Sequence, residues 1–442
     1  MFPGSVNPAR FVTEGAKLQA RAGGAARRPA PIDCREATVS RMMTRLCAIT
    51  IALAVIWGSR SAAAQAVEAT RPDSPLLMGP LQLFPSLTLR DIGIDSNVYN
   101  ESVRHEDFTY TVSPTLKTVL PIGESRLTTR GALDFRYFQT HKDQQSTSGS
   151  LNTQLEVGSG RVRPFGTAGL VRSHERGGYD IDRRAYSLAS QVKAGASLAL
   201  TPVTSITGWI VRESTRFDRL ELFDGVSLSQ QLDRVTRGTA TGLRFDLTPF
   251  TSVTSAIEVE KIRFAHAPLR DANSFRFAPI VQFTKGAIIE GQASAGFRDF
   301  RPIDPRLAPY RGFVASVTMA FTVRNVTHVE TQATHDVQFS YDDSQPLYLG
   351  AGGRVVVSQR VAGPFEAIAI GGRQRLRYQT LDGLSFDGRR ENVTSTGGGI
   401  GIRANEHLRF TLTVDRERRL SNGSALRDYE RRRVFGSVSF TP

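Results

Sequence analysis

Cysteine is almost missing from this chain. Only Cys34 and Cys47 occur, both near the N-terminus, which excludes a disulfide scaffold and a cysteine-based zinc site. Lysine is scarce as well. Six lysines among 56 basic residues leave fifty arginines. No stretch of eighteen apolar residues is present, which excludes a transmembrane helix. It does not exclude a membrane β-barrel, which hides its apolar half in alternation. No H-E-x-x-H, G-x-S-x-G or Walker loop occurs, and the seven histidines are scattered. The glycine-rich stretches at 350–353 and 397–401 lack the strand–turn–helix setting of a nucleotide loop. The reading is therefore of a chain that is not an enzyme and carries no cofactor and no metal. Hydrophobic residues make up 40% and charged residues 22% of 442 residues, so the chain is not disordered. The length suits two or three domains, or one large barrel.

The first 64 residues read as an address. Met42–Arg45 is a short positive region, LCAITIALAVIWG (Leu46–Gly58) an apolar core, and Ser61–Ala64 a small-residue cleavage site. That order is a bacterial-type signal peptide, spanning 42–64. Residues 1–41 have no useful periodicity and read as a non-native extension upstream of a start at Met42 or Met43, or else as a disordered basic extension. Nine basic and three acidic residues lie in 1–64. The remainder carries 47 basic and 39 acidic residues, a charge of +8, and no cysteine. An oxidising periplasm suits such a chain. Residues 65–79 read as a periplasmic segment and 80–442 as the folded body.

That body alternates with period two. In Leu127–Phe138, Leu127, Thr129, Leu133, Phe135 and Tyr137 share one face, and Thr128, Arg130, Asp134 and Arg136 the other. Tyr186–Leu200, Val326–Tyr341 and His407–Asp415 repeat the pattern. Alternation places one face against something apolar and the other in water. Short turns rich in Gly, Pro and Asn recur near 121–123, 158–160, 201–203, 248–250, 284–286, 323–325, 362–364 and 404–406. Longer polar loops lie between them, at 141–148, 175–184, 218–232, 265–271, 301–309, 379–389 and 420–428. The pattern predicts an all-β, antiparallel up-and-down transmembrane barrel of about 18 strands, each of about 10–14 residues, with periplasmic short turns and extracellular long loops. Strand-end aromatics, Tyr99, Tyr110, Tyr137, Tyr186, Trp209, Tyr310, Tyr341, Tyr348, Tyr378 and Tyr429, are expected to form an interfacial girdle. Phe440 stands two residues short of the C-terminus, where barrels commonly end on an aromatic.

Arginine on the polar strand face is the feature that bears on function. Arg90, Arg130, Arg136, Arg244, Arg276, Arg298, Arg354, Arg373, Arg375 and Arg409 are expected to line the lumen. Asp134, Asp246, Glu258, Glu260, Glu290, Glu330, Asp336, Glu366 and Asp415 are expected to join them. Two readings follow. Opposite charges on neighbouring strands pair and hold a wide barrel open. Alternatively, guanidinium groups in a low-dielectric channel attract passing carboxylates. A second basic set sits at loop ends: Arg172, Arg183, Arg184, Arg212, Arg216, Arg389, Arg390, Arg418, Arg419, Arg431 and Arg432. Lipopolysaccharide phosphates and substrate capture both account for it, and nucleic acid is not expected as a partner.

The opening residues Phe84-Pro85-Ser86-Leu87-Thr88-Leu89, then Gly93-Ile94-Asp95-Ser96-Asn97-Val98-Tyr99, then Phe108–Leu116 with its Ser-Pro-Thr-Leu, resemble the outer-membrane β-barrel porin family found with bacterial exopolysaccharide export systems. The Leu-Thr-Pro turns at 200–202 and 247–249 are similar to that family's periplasmic turns. The resemblance covers most of 80–442. It implies a barrel and polysaccharide export, and it carries over no catalytic residues. The strand count and arginine lumen also look like the alginate-export porin. The expectation is a monomeric outer-membrane conduit for an acidic exopolysaccharide or other anions. Its partners would be outer-membrane lipid and lipopolysaccharide, the barrel assembly machinery, and periplasmic or inner-membrane export components. The alternatives are a barrel enzyme acting on lipid or polysaccharide, and a structural or adhesive barrel plugged by its loops. The 218–232 loop, with Leu220, Leu222, Phe223, Leu228 and Leu232, is apolar enough to fold inward.

Overall fold

The computed structural model describes residues 75–441, apart from 159, 285–287, 325, 384–385 and 424–426. The expected signal peptide and upstream extension lie outside the described residues, as does 65–74.

A short strand β1 (Leu76–Met78) turns back onto β2 (Leu81–Asp95). There follow β3 (Asp107–Ile122), β4 (Ser125–Phe138), β5 (Ser146–Glu156), β6 (Val162–Arg176), β7 (Arg184–Thr201) and β8 (Thr204–Phe217). A small hairpin, β9 (Leu222–Phe223) and β10 (Val226–Ser227), and one helical turn, α1 (Leu228–Leu232), interrupt the series. It resumes with β11 (Arg234–Thr248), β12 (Thr251–Phe264), β13 (Ala272–Phe283), β14 (Ile289–Pro302), β15 (Tyr310–Val323) and β16 (Thr327–Phe339). The last five are β17 (Leu347–Ala362), β18 (Phe365–Gln379), β19 (Arg390–Arg403), β20 (Leu408–Ser421) and β21 (Tyr429–Phe440). Each long strand pairs antiparallel with the next, and β2 pairs with β21. Eighteen strands, β2–β8 and β11–β21, thus close into one barrel with no free edge.

The alternation explains the closure. On β4 the outward residues Leu133 and Phe135 are exposed, as are Leu151, Val192, Ile210, Phe313, Ile400, Leu412 and Val414 around the wall. In water each such side chain would forgo about 1.5–3 kcal/mol of burial. A belt of them is stable only against hydrocarbon. The inward face is fixed by ion pairs that jump strands. Arg276 on β13 reaches Asp336 on β16 at 2.8 Å. Three strand spacings come to about 14 Å, so only the concave side brings these two together.

Connections differ at the two ends. Two residues suffice at 123–124, 202–203, 249–250 and 363–364, with Gly123 and Gly363 at positive φ. The other end carries loops of seven residues or more, from 96–106 and 139–145 through 422–428. The strands reach 18 residues in β7. They exceed the expected 10–14 because they continue past the apolar belt into the mouth on the long-loop side. The seam between β2 and β21 needs a bulge. Gly93 has φ +154°, and a Cβ there would lie 1.9 Å from the Val434 carbonyl oxygen. Asp91 beside it also has positive φ. Phe440 faces outward and pairs with both Leu87 and Leu408, so the last aromatic closes the tight-turn rim.

Candidate functional site

Among the described residues, charge collects under cover in the lumen. Cross-strand partners share a face, so the register assigns each arginine a side. Arg90, Arg130, Arg136, Arg244, Arg276, Arg298, Arg354 and Arg409 point into the lumen. Arg373 and Arg375 do not. They alternate on β18 with the buried Gln374, Leu376 and Tyr378, and stand exposed on the outer wall. The glycines Gly371 and Gly372 carry no side chain to mark a face, and this hid the register from sequence reasoning.

Six of the eight inward arginines are paired. Arg90 meets Asp134 at 3.0 Å, Arg244 meets Asp246 at 2.8 Å, and Arg409 meets Glu366 at 2.7 Å. Arg136 meets Glu175. Arg298 bridges Asp336 at 2.9 Å and Glu260 at 3.0 Å, beside Arg276 on the same Asp336. These groups brace the wall. Arg130 and Arg354 make no ion pair among the described residues. Arg130 stands between Lys117 and Asn152 in its register row.

The long-loop end is filled. The β6–β7 loop, 177–183, folds into the barrel mouth. Arg419 of β20 donates 2.7 Å bonds to the Tyr179 carbonyl and to Asp182. Arg427 donates to the Asp180 carbonyl at 2.6 Å, and the Tyr378 hydroxyl donates to the Asp180 carboxylate at 2.6 Å. Glu391, fully buried, gathers Arg419, Arg389 at 3.0 Å and Arg427 at 3.1 Å. Above this lies an apolar cap in which Ile181 packs with Phe223, Leu228, Leu232, Phe264, Phe300 and Tyr341. The 218–232 loop folds inward through Phe223, Leu228 and Leu232, while Leu220 and Leu222 stay exposed. At the tip, Tyr179 is exposed to the lumen, with Glu417, Arg354 and Arg433 as its charged surroundings. Burial pushes the Asp180 and Asp182 carboxyls up, against the pull of Arg427 on the first and Arg419 on the second.

The aromatic girdle is smaller than expected. Tyr110 and Tyr137 stack on the outer wall at 4.8 Å, and Tyr186 stacks on His174. Tyr348, Tyr378 and Tyr429 face inward; Tyr378 holds the plug through Asp180, Tyr429 donates to Glu417, and Tyr341 lies in the apolar cap. Trp209 also faces inward, in register with Gly195 and Ala240, with the Lys193 ammonium 4.2 Å from its ring centroid. The loop-end basic set divides too. Arg389 and Arg419 are buried against the plug, and Arg184 and Arg431 are buried at the same end, Arg431 against Asp95, whereas Arg183, Arg390, Arg418 and Arg432 stand exposed. Arg172, Arg212 and Arg216 take outward register positions on β6 and β8. Asp180, Asp182 and Glu391, the plug's anchors, were missed. Loop carboxylates carry no periodicity, and only the fold brings them to one point.

Among solved structures, the chain is similar to Pseudomonas aeruginosa OccK3 (OpdO), at 9% identity over 81% of this chain and 96% of that one, with a TM-score of 0.43. It is similar to Acinetobacter baumannii OccAB3, at 8% over 81% and 99%, with a TM-score of 0.43. It is also similar to Pseudomonas aeruginosa OpdK solved with vanillate, at 8% over 81% and 99%, with a TM-score of 0.44. No curated protein sequence matches the chain. A family model described as "Putative beta-barrel porin 2" matches residues 77–441, nearly the whole barrel, and the chain belongs to that family of outer-membrane porin-like channels.

Proposed function

We propose that this barrel is a plugged conduit, not an enzyme, and that it passes acidic saccharides or other anions across the outer membrane. The observation that carries this reading is Arg354. It is an inward guanidinium with no ion-pair partner among the described residues, and it faces the Tyr179 tip of the inward loop. A paired arginine spends its field on its partner, whereas an unpaired one in a narrow, low-dielectric passage presents it to whatever enters. Arg130, in register with Lys117 and without an ion pair among the described residues, adds a second basic step. The exposed plug tip and the charged walls suit a chain of sugars bearing carboxylates better than an apolar solute. Polysaccharide export is supported by the motif resemblance at 84–116. Barrel assembly machinery and periplasmic export components belong to the same reading. The test is current block. An oligoglucuronate added to a bilayer holding the refolded channel should interrupt the current, and a neutral glucose oligomer of the same length should not. Equal block by both sugars would defeat the anionic part of the proposal.

A further inference from the structure

The two arginines that the register removes from the lumen join others on the outer wall. Arg373, Arg375 and Arg377 alternate along the outward face of β18. Arg377 stands directly opposite Arg390 of β19. Arg373 shares a row with Arg418 of β20 across Thr394. All five are exposed, and none makes an ion pair among the described residues. The carboxylate in register with Arg418 is Glu430, and it is already shared by Arg104, Arg416 and Arg432. Like charges directly opposite on neighbouring strands destabilise a sheet. Such a cluster persists at low cost only where an anion offsets it.

Its height says which anion. Below the cluster, toward the tight turns, β18 shows Phe365, Ala367 and Ala369 outward. β20 shows Leu408, Phe410, Leu412 and Val414. Arg373 follows Phe365 by eight residues, roughly 20 Å of vertical rise at the usual strand tilt. An outer-membrane apolar belt is about 25 Å tall. The cluster therefore begins at the upper edge of the belt, on the long-loop side, where lipid headgroups lie.

We propose that Arg373, Arg375, Arg377, Arg390 and Arg418 form a docking surface for the phosphate groups of lipid A. The proposal rests on the reading of the chain as an outer-membrane barrel with its long loops outside. A phosphate monoester carries between one and two charges and offers three acceptor oxygens to guanidinium forks. Lipid A carries two such groups on one headgroup. A phospholipid diester carries a single charge and would leave most of the five arginines unmatched.

The test titrates the detergent-solubilised barrel with bisphosphorylated lipid A, dephosphorylated lipid A and phosphatidylglycerol, and reads binding by native mass spectrometry. The wild-type channel should prefer bisphosphorylated lipid A, with an affinity that falls as salt rises. The combined Arg373→Gln, Arg375→Gln, Arg377→Gln and Arg390→Gln variant should bind it at least tenfold more weakly. Arg375→Gln alone should lose severalfold, which keeps the test available if the multiple variant does not fold. Unchanged binding by the folded variants would overturn the proposal. So would equal wild-type binding of phosphatidylglycerol or of dephosphorylated lipid A. Heat-dependent gel migration and channel conductance, measured on the same samples, report the barrel itself, so a failed barrel is told apart from a failed docking surface.

Discussion

At the residue scale, two glycines and two arginines carry sharp consequences. Gly93 sits where β2 and β21 close the barrel, and a side chain there would strike the Val434 carbonyl. Gly93→Ala should therefore lower the yield of heat-resistant barrel on refolding, by several-fold, with secondary structure still present by circular dichroism. Gly195 lies between Phe165 and Trp209 on the lumen wall, and a Cβ there would come within 2.4 Å of the Gly208 carbonyl oxygen and 2.6 Å of the Phe165 ring. Gly195→Ala should displace those rings and the Gly208 carbonyl, shifting Trp209 emission and lowering the thermal unfolding temperature. The pairing pattern separates the arginines. Removing Arg298 strands Glu260, which has no other ion pair among the described residues, and leaves Asp336 with Arg276. Loss of one partner from a buried pair costs about 3–5 kcal/mol, so Arg298→Ser should lower the thermal unfolding temperature. Arg354→Ser, with no partner to strand, should leave that temperature close to wild type.

At the scale of elements, the inward loop 177–183 fills the mouth and is what an open channel would have to displace. Closed, it buries Asp180 among Arg427, Arg389, Tyr378, Tyr341 and Glu391, and Asp182 among Arg419, Arg427, Arg176 and Glu391. Burial raises both carboxyls above the ordinary value of 3.8. Opening returns them to water and to that value. The closed form thus binds protons more readily, so acid favours closure and rising pH favours opening. Conductance measured from neutral pH down toward pH 4 should fall, and Asp180→Asn should flatten the dependence. Deleting residues 178–182 should raise conductance at every pH. How far these elements were legible in the sequence varied with their physics. Strands read clearly, because outward Leu133 and Phe135 against inward Arg130 and Arg136 repeat on neighbouring strands. The tight turns read clearly because Gly123 and Gly363 supply positive φ. The face of β18 was unreadable across Gly371 and Gly372. The tyrosines were misplaced because Tyr348 and Tyr378 look the same in sequence whether they meet lipid or a plug. Glu391 draws its partners from β20 and from both adjoining long loops, contacts that no local pattern records.

At the scale of the whole molecule, charge is sorted three ways. Most inward arginines brace the wall against carboxylates, a second group locks the plug, and a third stands on the outer rim. Net basicity alone therefore does not make the channel anion-selective. Selectivity is assigned to the few inward cations left unpaired, Arg130 and Arg354 foremost. The most direct measurement is the reversal potential of the refolded channel in a planar bilayer across a salt gradient. The account predicts anion preference in the wild type, lost in the Arg130→Ser, Arg354→Ser double variant and retained in Arg244→Ser. Cation preference in the wild type, or a double variant with unchanged selectivity, would contradict it.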